Sequence, residues 1–143
     1  MDAEKLLQLA HRFTTEPFSR DEAKALFGEI EQATAAALYL TPRPAWKARS
    51  IILESAAAKS GNSMVAGVIF EFDRVQNIQL PELIRRWGAW KEKPRLKPDQ
   101  PIPIQFQVET PKWLGYVLLD CEELPKGNTA KVSRVIFRRA EHD

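Results

Sequence analysis

The chain is poor in the residues that chemistry most often uses. Among its 143 residues there are one cysteine, Cys121, and two histidines, His11 and His142. A lone cysteine excludes an internal disulfide, and with it the stapled secreted scaffolds, and it also excludes a Cys/His zinc site. A nucleophilic triad with histidine as base would have to recruit His11, within an amphipathic segment, or His142, in the C-terminal tail. The six glycines form neither a Gly-x-Gly-x-x-Gly sequence nor a phosphate loop, so no nucleotide cofactor is indicated. No apolar run approaches the roughly 18 residues that span a bilayer, and no basic-then-apolar leader opens the chain. The expectation is a cytoplasmic protein without cofactor, metal or membrane contact.

What is present is ordinary in bulk. The chain is 44% hydrophobic and 28% charged, the composition of a soluble globular protein, and its 143 residues predict one domain over 1–143 with one core. The net charge of +2 conceals an uneven distribution. Residues 1–60 carry eight basic and eight acidic groups, whereas Arg85–Lys97 carries six basic residues against the single acid Glu92. A local basic patch on a nearly neutral chain suits a specific anionic contact better than general coating of nucleic acid.

Periodicity predicts an α+β fold: about three N-terminal helices, then a four-stranded, mainly antiparallel sheet with a short helix after its first strand. Leu6, Leu9, Ala10 and Phe13 follow helical spacing, and Pro17 ends that helix. Ser19–Glu22 reads as a capping box for a second helix, with Ala23, Leu26, Phe27, Ile30, Ala33 and Ala37 on its core face and Pro42 as its stop. Pro44 opens a third helix that runs to about Lys59 and closes at Gly61. Short strands at Ala37–Leu40 and Ser50–Glu54, where Leu38-Tyr39-Leu40 and Ile51-Ile52-Leu53 are compact apolar runs, are the competing reading of residues 35–59. The cap, the alanine triplets 35–37 and 56–58 and the placing of the prolines favour helix.

After Met64 the period becomes two. Val68, Phe70 and Phe72 predict a strand, Pro81–Trp87 a short helix stopped by Gly88, and Lys93–Pro103, with four prolines, an extended loop. Ile102–Val108 alternates as a strand suited to an edge, Leu114–Cys121 is apolar on both faces as a central strand should be, and Ala130–Arg138 returns as its hairpin partner. No internal repeat is visible.

Two constellations could carry chemistry or recognition. Glu71, Asp73, Glu109 and Asp120 lie on or near strands and could hold Mg²⁺ for nuclease chemistry, although acids at period two more often mark a solvated sheet face. Every tryptophan stands beside a basic residue: Trp46-Lys47, Arg86-Trp87, Trp90-Lys91 and Lys112-Trp113. Helical and strand phase assign Trp87 and Trp113 to the core. Trp46 lies on the shoulder of the third helix, where it covers the sheet or faces a partner. The expected recognition surface is therefore Arg85, Arg86, Trp90, Lys91, Lys93, Arg95 and Lys97, with Trp46 as an outlier. The predicted function is non-catalytic protein binding, by an inhibitor, adaptor or immunity-type protein. A nucleic-acid-binding protein using Arg85–Lys97 is the main alternative, and a metal-dependent nuclease the third. The oligomeric state is left open.

Overall fold

The structure, a computed structural model, describes residues 1–15, 19–56 and 64–141. Pro17, Lys59, Gly61 and His142, which figure in the sequence reading, lie outside them. The described chain forms three α-helices, α1 (Ala3–Thr15), α2 (Arg20–Phe27) and α3 (Leu80–Trp87), and eight strands. The strands are β1 (Gly28–Ala33), β2 (Ala37–Pro42), β3 (Ala48–Ala56), β4 (Met64–Gln79), β5 (Lys91–Glu92), β6 (Ile102–Glu109), β7 (Trp113–Cys121) and β8 (Thr129–Glu141). They form one sheet in the order β1-β2-β3-β4-β8-β7-β6-β5, antiparallel throughout.

This corrects the predicted fold class. The sheet has eight strands rather than four, because the second predicted helix is helical only over its first eight residues and continues as β1 and β2, the third is β3, and Lys91–Glu92 adds the short β5. Ser19 does cap α2, its hydroxyl accepting from the Glu22 amide at 3.2 Å. The helix then stops at Gly28, whose φ of +151° leaves helical space. A Cβ there would lie 1.9 Å from the Thr41 carbonyl oxygen, so the close approach of β2 requires glycine. Ala35 and Ala36 form the β1–β2 turn and Ala37 opens β2; the turn is held by Thr34, whose hydroxyl accepts from the Ala37 amide at 3.1 Å. Pro44 starts only a 3₁₀ turn, Pro44–Trp46, and Lys47, at φ +53°, redirects the chain into β3.

Packing explains why strand wins. Leu38 and Leu40 pair with Leu53 and Ile51, which pair in turn with Val68 and Phe70. The same two rows continue through Phe137 and Val135 to Val117 and Leu119, and end on Phe106 and Ile104. All twelve side chains are buried. As helices, residues 38–40 and 51–53 could not have supplied one alternating face to these two rows.

All three helices cover this face. From α1, Leu6, Ala10 and Phe13 are buried, with Phe13 edge-on to Phe137 at 6.4 Å. From α2, Phe27 meets Phe70 at 5.3 Å, and from α3, Trp87 meets Phe106 at 5.4 Å. No helix among the described residues packs on the opposite face, where β7 and β8 present Tyr116, Leu118, Asp120, Arg134, Ile136 and Arg138.

The topology repeats where the sequence does not. An eight-residue helix ending at a positive-φ glycine leads into a four-stranded meander twice: α2, Gly28 and β1–β4, then α3, Gly88 and β5–β8. The last strands of the two meanders, β4 and β8, pair and form the centre of the sheet.

Candidate functional site

Helix α3 begins at Leu80-Pro81, where proline suits a position without an intrahelical amide partner. Leu80 and Leu83 are buried, which turns Arg85 and Arg86 outward. Neither arginine projects unengaged. Arg85 is hydrogen-bonded to Glu82, and Arg86 Nε lies 3.5 Å from the other carboxylate oxygen. The hydrogen bond from Arg85 holds the Glu82 carboxyl below its ordinary range, with the Arg85 and Arg86 charges adding to the effect. Glu82 therefore stays ionised and offsets part of the basic patch.

Beyond Gly88 the chain enters a hairpin. Lys91 and Glu92 pair with Gln105 and Ile104, and the Lys93 amide donates to the Pro103 carbonyl at 2.8 Å. The proline-rich stretch is the tip of this β5–β6 hairpin, and it is tied internally. Arg95 Nη1 donates to the carbonyls of Pro98 (2.9 Å) and Gln100 (3.3 Å). Gln100 Oε1 accepts from the amides of Leu96 (3.2 Å) and Lys97 (3.3 Å), and its own amide donates to the Lys97 carbonyl at 3.2 Å. These bonds satisfy backbone groups that a loop usually leaves to water, so the tip has a defined shape.

At that tip Leu96 is 94% exposed, the most exposed large hydrophobic side chain among the described residues. Lys91 and Lys97 are exposed on either side of it in sequence and Lys93 is half-buried. Among the described residues no ion pair engages these three ammonium groups. Trp90 is half-buried and packs against the core, so little of its ring is offered as a stacking platform.

Trp46 lies apart from this surface. Of its two anticipated positions it takes the one that covers the sheet: it is 7% exposed, 5.2 Å from Phe27 and 5.5 Å from Phe70, with Nε1 donating to the Leu26 carbonyl at 3.0 Å. Its remaining exposed part lines a groove with Met1, Lys5 and Lys47, and Lys5 Nζ sits 4.7 Å above the ring. Trp113 is buried, as its strand phase implied.

The carboxylates do not converge. Glu71 and Asp120 share the open face of the sheet, but Arg134 stands between them in the register. Arg134 Nε donates to Asp120 at 2.6 Å, and Arg49, from a bulge in β3, donates to Glu71 at 3.2 Å. Asp73, two residues along β4 from Glu71, and Glu109, at the end of β6, are exposed. Among the described residues no group of three or more His, Cys, Asp or Glu is placed to hold a metal ion. Cys121 is buried, and its thiol is pushed up to about 12 by burial and by the neighbouring Asp120 charge, far from the thiolate that nucleophilic chemistry requires. No helix of the described residues is long and apolar enough to cross a membrane.

Sequence reasoning located the basic segment but missed Leu96 and Gln100. A signal for Leu96 was available: it is a single large apolar residue between Arg95 and Lys97, in a proline-rich stretch with no periodic partner to bury it. Comparison with protein-family models, with curated proteins and with solved structures finds no match to this chain.

Proposed function

We propose that this is a non-catalytic protein-binding module, of the inhibitor, adaptor or immunity type, that engages its partner through the β5–β6 hairpin tip and the adjoining face of α3. The observation that carries this reading is Leu96, 94% exposed on a loop held by Arg95 and Gln100. An apolar anchor on a pre-shaped loop loses little conformational entropy on docking, and flanking cations steer it toward an acidic surface with an apolar recess. The nucleic-acid alternative is less well supported. Arg85 and Arg86 share Glu82, Arg95 is occupied by loop carbonyls, and Trp90 lies against the core.

The experiment places a photo-crosslinking residue at Leu96 in the native host and identifies the adduct. A discrete protein adduct that disappears when Lys91, Lys93 and Lys97 are changed to Glu is the expected result. Steeply salt-dependent affinity for DNA or RNA, abolished by the same changes, would instead establish the alternative.

A further inference from the structure

The face of the sheet away from the helices carries an apolar stripe. Tyr39, Ile52, Ile69, Ile136 and Leu118 stand in register across β2, β3, β4, β8 and β7. No helix among the described residues covers them: Tyr39 is exposed and Ile52, Ile69 and Leu118 are half-buried, while Ile136, at 7%, is already largely sheltered by its neighbours. Contiguous, partly exposed apolar rows mark interaction surfaces. Charged rows border the stripe. On one side Glu71, Arg134 and Asp120 follow one another across neighbouring strands, and on the other Glu54 pairs with Arg138 at 3.0 Å. With Arg49 on Glu71, the bordering acids and bases balance, three of each. A neutral face of alternating sign does not attract a polyanion. It suits a surface with the same alternation.

We infer that this face packs against its own copy in a second chain, with the two-fold axis parallel to the strands above the β4·β8 seam. That axis places β8 of the partner over β4 and β7 of the partner over β3. The register then sets Ile69 opposite Ile136 of the partner subunit and Ile52 opposite Leu118 of the partner subunit, so stripe lies on stripe. It also sets Glu71 opposite Arg134 of the partner subunit and Glu54 opposite Tyr116 of the partner subunit, with no like charges facing. The alternative two-fold axis, along the stripe, would set Arg134 against Arg138 of the partner subunit, a repulsive contact. Strands run aligned across the favoured interface, as in packed sandwiches. Under this axis six strands overlap, β2–β4 and β6–β8; about 4.8 Å apart and roughly 28 Å long, they give each copy a footprint of about 800 Å², comparable with the area a standard stable interface buries per partner. The hairpin tip at Leu96 lies beyond the stripe, so this interface is independent of the proposed partner site.

The test is the number of chains per particle, by sedimentation of the full chain at about 100 µM, far above the Kd expected of a standard interface. The wild-type chain should form two-chain particles, and Ile69→Lys should halve the particle mass. Because Ile69→Lys can also unfold the chain, a second measurement treats a mixture of separately purified Ile52→Cys and Leu118→Cys chains with a short bis-maleimide, which bridges the roughly 10 Å between facing sheets. In a pair of like variants the two cysteines are offset by three strand spacings, about 14 Å, in addition to the gap between the sheets, beyond the reach of that cross-linker. A linked dimer should therefore form in the mixture and hardly at all with either variant alone. A wild-type chain that remains single overturns the proposal and leaves the face to a partner of another sequence. Cysteine variants that link no better together than apart overturn the orientation.

Discussion

Asp120 and Arg134 face each other across β7 and β8, with the carboxylate 8% exposed at its side chain and the guanidinium 44% exposed. The acid is thus the buried partner and the base its route to solvent. Arg134→Ala leaves a nearly buried carboxylate unpaired, which costs several kcal/mol for a fully buried pair. Because the guanidinium is almost half in water, the expected loss is about 2 kcal/mol in a urea titration. Arg49→Ala, which removes an arginine 66% exposed from Glu71, should cost less than about 0.5 kcal/mol. Equal losses would show that the two pairs are not distinguished by burial.

Gly28 and Gly88 close equivalent helices and answer differently to alanine. Both have positive φ, so each substitution introduces backbone strain of about 1 kcal/mol or more. At Gly28 the new methyl also strikes the Thr41 backbone, whereas at Gly88 nothing lies within 4 Å. Gly28→Ala should lower the melting temperature much further than Gly88→Ala, and thermal denaturation of the two variants decides it.

Cys121 makes stability fall in alkali. The native thiol titrates at about 12 and the unfolded one near 9.0, so between these values unfolding releases a proton. The contribution is intact below pH 9.0 and is lost as pH rises toward 12, with a slope approaching ~1.4 kcal/mol per pH unit. Wild type and Cys121→Ala, compared by urea denaturation between about pH 8 and about pH 10.5, should converge as pH rises. Parallel curves would exclude the effect.

Gln100 organises the hairpin tip without contributing to the core. Gln100→Ala should leave global stability within about 0.5 kcal/mol of wild type. Hydrogen exchange at the Leu96 and Lys97 amides should accelerate, since both donate to its side chain. Unchanged exchange at those two amides would mean that the tip holds its shape by other means.

Legibility in the sequence followed how local each decision was. Val68, Phe70 and Phe72, and Ile104 and Phe106, were readable as strand because the polar Glu71, Asp73, Gln105 and Gln107 alternate with them. Ser19 and Gly88 were readable because capping is settled within four residues. Leu38-Tyr39-Leu40 and Ile51-Ile52-Leu53 were not, since a three-residue apolar run fits helix or strand equally. What selects strand is the register with Val68 and Phe70, which no local window contains. The basic segment was visible as composition, yet the sharing of Glu82 by Arg85 and Arg86 and the capture of Arg95 by its own loop depend on geometry. The open-face stripe depends on register across five strands, and one strand shows only one of its members.

The paired meanders also bear on how the chain folds. Within each half every strand pairs with its neighbour in sequence, so the loops to be closed are short and their entropic cost is small. The β4·β8 seam joins Ile69 to Ile136, nearly half the chain away, and it alone makes the two halves one sheet. Its formation is the step of highest contact order and should set the folding rate, with each half forming its hairpins before the seam closes. Until then β4 and β8 are both unpaired edges, and at high concentration the same register is open to the complementary half of another chain, the route to a domain-swapped species.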